Sequence, residues 1–269
     1  MTDWLALCRA AAADIRTMLE ELPTRVEREP VVGAGLGGDD TTAVDAAAER
    51  AVVARLEDAH AAGADFTLVS EELGERRFGS GGGDWVVVDP IDGSNNAKRG
   101  IRFFSVSIAV ADGPTMDDVR FGYVHDFGTA EEWTAERGAG AWLDGRRLDG
   151  PLPGDPIEIL SFEATDTASV SAKAPAMVGV AHRLRVMGSL ALSLCHLADG
   201  RVDAVCSLKR SRAVDIAAAQ LLLRERGIAI DLPQDTPFGA ARLDTVARSR
   251  VVAAATPALC RQLQAALGA

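Results

Sequence analysis

The ten residues Trp85-Val86-Val87-Val88-Asp89-Pro90-Ile91-Asp92-Gly93-Ser94 restrict the possible fold more than any other stretch of this chain. Residues 85–88 form a continuous apolar, largely β-branched run, which predicts a buried strand. That strand passes directly into two carboxylates, a forced turn and a hydroxyl. Pro90 fixes its own φ and restricts Asp89, while Gly93 admits a positive φ or a close backbone approach. Carboxylates at a strand end with oxygen donors close by suit a hard divalent cation such as Mg²⁺. The same residue types also make an ordinary turn in which Asp89 and Asp92 bond backbone amides, and these ten residues alone leave both readings open.

The rest of the chain supplies the layers such a strand needs. Helical spacing is predicted over 4–22, closed by Pro23, and over about 42–56. Short strands are expected at 66–69, 103–111, 119–125 and 132–135, with Asp144-Gly145 as a hairpin signal. This run of consecutive strands predicts an antiparallel sheet. Residues 150–156, rich in Gly and Pro, are the best boundary, giving halves 1–149 and 150–269. Beyond it, strands at 157–162, 202–208 and 251–254 alternate with helices near 190–198, 216–226 and 257–267. The fold class is therefore α+β or α/β, in two layered halves.

At 269 residues, 48% hydrophobic and 25% charged, the chain is of globular type, long enough for one large domain or two small ones at about 150 residues each. With 28 basic and 39 acidic residues, the net charge is −11, and there is no basic cluster. Nucleic acid and anionic membranes would have to bind against that field, so neither is expected as a partner. Cys8, Cys195, Cys206 and Cys260 are dispersed, which reads as buried thiols in a reducing compartment. No basic stretch precedes an apolar run at the N-terminus and no apolar run approaches about 20 residues. A cytoplasmic setting is the expectation.

Three further acidic sites, four residues in all, bear on the strand-end carboxylates. Glu71-Glu72 follows the strand at 66–69, where paired acids repel unless solvent or a cation separates them. Asp215 precedes an apolar helix, where a single Asp is ordinarily an N-cap, and Asp45 fits a capping box with Thr42. Taken together, these motifs resemble the inositol monophosphatase family of Mg²⁺-dependent phosphomonoesterases. Asp89-Pro90-Ile91-Asp92-Gly93-Ser94 is similar to its central signature, Glu71-Glu72 to its upstream acid pair, and Thr42 to Asp45 to its Thr-x-x-Asp. Val214-Asp215-Ile216-Ala217-Ala218-Ala219 is similar to its second-half signature, and Gly188-Ser189-Leu190-Ala191 and Asp199–Ala204 match the segments before it. The similarity runs in order from about residue 42 to 252.

The resemblance implies an α-β-α-β-α layered sandwich and a homodimer. It implies two or three Mg²⁺ ions, with Mn²⁺ as a substitute, held by Glu71, Asp89, Asp92, Asp215 and the backbone carbonyl of Ile91. It implies that Ser94, hydrogen-bonded to Asp45 and near Glu72, activates the attacking water, while Gly93 and Ser94 present amides and a hydroxyl to the phosphate. Gly188 and Ser189 fall on the substrate side. The chain departs from the pattern at Val214, where the family has Trp, and at Leu208, where inositol-specific members carry an acid. Lys209, Arg210 and Arg212 instead crowd the approach to Asp215, suggesting a clamp for a second phosphate. With residues 95–101, this resembles the archaeal-type members that hydrolyse both fructose 1,6-bisphosphate and inositol phosphates.

The alternatives are a 3′-phosphoadenosine 5′-phosphate phosphatase, or a catalytically weak regulatory or binding protein on the same fold. Gly33-Ala34-Gly35-Leu36-Gly37-Gly38 satisfies Gly-x-Gly-x-x-Gly but lacks the preceding strand of a dinucleotide site, and is expected to be a mobile loop closing over the metals.

Overall fold

The computed structural model describes residues 2–35, 40–152, 154, 156–234 and 237–268, with the backbone alone for Ala34. The segment 85–94 enters as the strand Asp84–Asp92, near the middle of an eight-stranded sheet. It pairs parallel with Phe66–Ser70 on one side and antiparallel with Ser105–Ala111 on the other. The sheet continues through Val119–Asp126, Glu132–Glu136, Gly140–Leu143 and Arg146–Arg147. Asp144 and Gly145, both at positive φ, make the expected hairpin turn between the last two strands.

Side-chain alternation along these strands determines the layering. Val86, Val88, Val106, Ile108 and Val110 face one way and bury against the helices Trp4–Glu21 and Ala43–Ala61. Val87, Ala109 and Ala111 face the other way, onto the helices Leu190–Ala198 and Ala217–Glu225. Those two helices also meet Val205 and Ala253 of a second sheet, ordered Ala181–Arg185, Ile157–Glu163, Ala204–Ser207, Val252–Ala254, Ala229–Asp231. The far face of that sheet packs Leu160, Phe162, Cys206 and Ala254 against the helix Pro257–Leu267. The result is the α-β-α-β-α order expected. Eight of the nine residues in Leu190–Ala198 are buried, as a helix between two sheets must be. Helix Ala217–Glu225 comes so close to the first sheet that a Cβ on Gly122 would lie 2.5 Å from the Ala218 carbonyl oxygen.

Antiparallel pairing holds from residue 84 to 147, but Phe66–Ser70 runs parallel to Asp84–Asp92. The reason is the strand Gly74–Phe78, which folds back along the outer side of Phe66–Ser70 and carries the chain to the sheet edge. Its exposed Glu75, Arg76 and Arg77 are the charges that keep an open edge from pairing with another chain. All four cysteines are buried free thiols. Of the glycine-rich segment, Val31–Ala34 pairs with Asp40–Thr42, while the expected mobile loop at 36–38 lies outside the described residues. The first sheet is built from residues 66–147 and the second from 157–254. The segment between them includes Pro153 and Asp155, which also lie outside the described residues. Among the described residues no helix is long and apolar enough to cross a membrane.

Candidate active site

The acids converge because of strand register. Ser70 pairs with Val88 in the parallel ladder, so Glu71, just past the end of its strand, comes beside Asp89, which is still paired with Ser107 on its other side. Asp89 and Asp92 are three apart and would point to opposite faces of a regular strand. The ladder with Ser105–Ala111 slips by one residue between them, Asp89 opposing Ser107 and Asp92 opposing Ser105. This bulge at Pro90, which has no N–H to contribute, restores both carboxylates to one side. Asp215 arrives from the central layer, just ahead of the helix Ala217–Glu225. Glu71, Asp89 and Asp215 each bring a carboxylate oxygen within 4.8 Å of the others.

The surroundings hold these charges in place without cancelling them. Asp92 accepts hydrogen bonds from the Ser189 hydroxyl and from the amides of Ala191 (2.8 Å) and Leu190 (3.3 Å), at the N-terminus of the helix Leu190–Ala198. Burial still pushes Asp92 up to about 7. Asp89 accepts from the Ile91 amide at 3.0 Å, yet burial and the neighbouring Glu71, Asp92 and Asp215 raise it well above the usual carboxylate range. Burial and Asp215 push Glu71 up to about 7, against the opposing pull of Arg212. Asp215 accepts from the Arg212 amide at 2.8 Å and is pushed up to about 6 by burial and Asp92. It does not cap its helix, whose N-cap position is Ile216. Two buried acids, Asp89 and Asp92, and two half-buried ones, Glu71 and Asp215, all with raised affinity for protons, mark a site short of positive charge.

The expected water-activating group is arranged differently from the family pattern. Asp45 forms its capping box, accepting from the Thr42 amide (3.1 Å) and hydroxyl (2.5 Å) through Oδ2. Its Oδ1 is buried with no partner. The Ser94 hydroxyl does not bond Asp45; it donates to the Ile91 carbonyl at 3.1 Å, because the turn at Gly93 (φ 95°) folds the next helix back over residue 91. Glu72 accepts from the Thr41 hydroxyl.

These groups line one cavity of about 910 Å³, together with Gly93, Gly188, Lys209, Arg210 and Arg212. Ser189 does not line it: this residue is buried beneath Asp92, so its hydroxyl supports the acid instead of facing the cavity. The basic trio is divided. Lys209 pairs with Asp166 at 2.6 Å, Arg212 with Glu71, and Arg210 is exposed at the rim. Among the described residues, eight acids, five cationic side chains and no aromatic or imidazole ring line the cavity. A cluster of hard oxygen donors with excess negative charge fits a divalent cation.

Lys98, from the 95–101 stretch, also lines the cavity, as do Glu163 and Arg248, which were not anticipated from the sequence. Glu163 is buried at the end of Ile157–Glu163 and accepts from Ser161 and Ser193 (both 2.8 Å) and from the Gly188 amide (2.9 Å). An acid closing an apolar strand is the same signal that marks Asp89, so it was available. Arg248 lies in an irregular segment where no pattern announces it.

The family model for the inositol monophosphatase family matches residues 5–267. A protein of Methanothermobacter thermautotrophicus named fructose-1,6-bisphosphatase/inositol-1-monophosphatase is 31% identical over 234 residues, covering 83% of this chain and 82% of its own. One of Pasteurella multocida named Nus factor SuhB is 33% identical over 195 residues, covering 70% of each chain. A solved structure of an inositol monophosphatase-fructose 1,6 bisphosphatase matches with a TM-score of 0.83 at 26% identity, covering 98% of this chain and 100% of its own.

Proposed function

Since the chain belongs to the inositol monophosphatase family, we propose that it is a Mg²⁺-dependent phosphomonoesterase acting on fructose 1,6-bisphosphate, inositol 1-phosphate or both. The observation that carries this reading is the convergence of Glu71, Asp89 and Asp215, each with raised proton affinity, at the floor of a polar cavity. In this reading the three acids, Asp92 and the Ile91 carbonyl hold two or three Mg²⁺ ions, which Mn²⁺ can replace. Bound there, the ions supply a lowered pKa for water and neutralisation of the phosphate.

The chain's own groups do the rest. Asp45 Oδ1, buried and unpartnered, takes the proton of the attacking water, with Glu72 alongside and the Ser94 hydroxyl turning from Ile91 to orient it. The amides of Gly93 and Ser94 hold the phosphate in line as water adds to phosphorus and the ester P–O bond breaks, the leaving oxygen taking a proton from solvent to depart as the alcohol. Gly188 shapes the substrate side, Ser189 acts through Asp92, and Lys209, Arg210 and Arg212 hold a second phosphate. The half 1–149 supplies the water-activating acids and most of the metal ligands; the half 150–269 supplies Asp215 and the basic rim. A cytoplasmic homodimer completes the proposal.

The lack of any ring among the described lining residues to stack on a base favours a sugar or polyol over 3′-phosphoadenosine 5′-phosphate. The test is phosphate release with and without Mg²⁺ from fructose 1,6-bisphosphate, inositol 1-phosphate and 3′-phosphoadenosine 5′-phosphate, with Asp92→Asn as control. Release from the first two that needs both Mg²⁺ and Asp92 is expected. Release from the adenosine ester alone would move the substrate class. No release from any ester would overturn the enzyme reading and favour a regulatory role, a class suggested by the Nus factor name of one relative.

A further inference from the structure

Among the three basic residues beside Asp215, Arg212 differs from its neighbours in its setting. Its side chain is 11% exposed and paired with Glu71, whereas Lys209 is 52% exposed and pairs with Asp166 at the rim. The backbone amide of Arg212 donates to Asp215 Oδ2 at 2.8 Å. One residue therefore grips two of the three carboxylates of the acid cluster, one through its main chain and one through its guanidinium. The main-chain bond fixes where the residue sits, and its side chain borders the cavity.

Resting on the metal-dependent reading above, we propose that the Arg212 guanidinium is a resident counter-cation of the acid cluster, displaced from Glu71 by the divalent ion and then bound by the anionic group of the substrate. Three carboxylates this close cannot all remain ionised without positive charge between them. Arg212 supplies part of that charge at Glu71, and Arg248 also acts on Asp215. A divalent ion at Glu71 competes for the same carboxylate and repels the guanidinium. A guanidinium driven off Glu71 into the cavity is a planar donor suited to two phosphate oxygens at once. Metal and anion then bind with positive coupling through one side chain, and the coupling is reciprocal.

The test is calorimetric titration of the full chain with Mg²⁺ in anion-free buffer, comparing wild type, Arg212→Met, Arg212→Lys and Asp89→Asn. Circular dichroism first establishes that each variant is folded. Arg212→Met is expected to bind Mg²⁺ about tenfold more tightly than wild type, equivalent to about 1.4 kcal/mol of removed competition. Arg212→Lys, which keeps the charge, is expected to stay within about threefold of wild type. Inorganic phosphate is expected to bind Mg²⁺-saturated Arg212→Met about tenfold more weakly. Unchanged or weaker Mg²⁺ binding in Arg212→Met would overturn the displacement, leaving the ion pair purely structural. Tighter Mg²⁺ with unchanged phosphate binding would overturn the transfer to substrate. If wild type itself shows no Mg²⁺ binding that Asp89→Asn removes, the metal-dependent reading fails before the Arg212 proposal is reached.

Discussion

Gly93 and Gly100 bracket the short helix Ser94–Arg99, both with positive φ, and their replacement by alanine separates backbone strain from packing at the active site. At Gly100, φ is 70° and an added Cβ meets nothing within 4 Å. Only the left-handed backbone resists, at roughly 1–2 kcal/mol, less up to about 1 kcal/mol recovered by stiffening the unfolded chain. At Gly93, φ is 95°, and the Cβ would lie 3.0 Å from the Gly188 carbonyl oxygen and 3.2 Å from both the Phe103 carbonyl oxygen and Phe104 Cβ. Crowding against two carbonyls adds about 1–3 kcal/mol. The expected gap between the variants is therefore about 2 kcal/mol, or roughly 4–8 °C in melting temperature at this chain length. The displaced group matters as much as the energy. Gly188 precedes Ser189, which holds Asp92, and its amide bonds Glu163. Gly93→Ala should lower Mg²⁺-dependent phosphate release by at least about tenfold while Gly100→Ala leaves it near wild type, a gap of about 1.4 kcal/mol in barrier. Thermal unfolding followed by circular dichroism, alongside phosphate release, measures both. Equal melting temperatures and equal turnover would refute the claim that close approach to Gly188 is what requires glycine in this turn.

Ser189→Ala removes the hydroxyl from Asp92 but leaves the Leu190 and Ala191 amides, and it also removes the N-cap of Leu190–Ala198. About 1 kcal/mol of stability should be lost, with kcat falling several-fold and KM nearly unchanged; a change confined to KM would mean that Ser189 contacts substrate. Leu208 is buried in the outer core against the helix Pro257–Leu267 and does not line the cavity. Leu208→Glu should therefore cost at least about 3 kcal/mol in denaturant unfolding without gaining inositol-phosphate turnover, whereas a stable variant with such a gain would refute that placement. Glu71 and Asp92 are raised to about 7, Asp215 to about 6, and Asp89 well above its usual value. Between about pH 4 and pH 7 the folded metal-free chain thus binds more protons at these groups than the unfolded chain, and their contribution to stability is lost as pH rises through that window. Mg²⁺ competes with those protons, so the rise in melting temperature it produces should grow from about pH 5 to pH 7.5. A flat response would separate these acids from the metal site.

The parts of the site legible in the sequence are those set by local pattern. A buried strand ending in Asp-Pro-Ile-Asp-Gly announces itself through an apolar run and the backbone limits of Pro90 and Gly93, and the structure carries both acids at the end of Asp84–Asp92. Asp45 was legible as a capping box, and its second oxygen shows that capping uses only half of the carboxylate. Residue chemistry alone marked Asp215 only as preceding an apolar helix, and its place in the cluster was legible through the family signature at 214–219; the contact itself depends on packing that brings residue 215 beside 71 and 89. The partners were the least legible. Ser189 bonds Asp92 across 97 residues and Arg212 bonds Glu71 across 141, and nothing in the spacing of either pair encodes the contact. The edge strand Gly74–Phe78 was missed for a related reason: its middle residues face solvent, so the apolar alternation that marks a half-buried strand is absent.

The acids are held to different degrees: Asp45 by Thr42 through one oxygen, Asp89 by the Ile91 amide through one, Asp215 by the Arg212 amide through one, and Asp92 through both, by Ser189 and Ala191 on Oδ2 and Leu190 on Oδ1. Full satisfaction would make a stable polar core with no affinity left for a ligand, and none at all would leave uncompensated charges that unfold the junction between the layers. These bonds fix the direction of each carboxylate before any cation arrives, so binding need not order the side chains first. The register slip at Pro90 and the glycine at position 93 contribute most here, since they aim two acids from one strand into a cavity whose third wall comes from the other half of the chain.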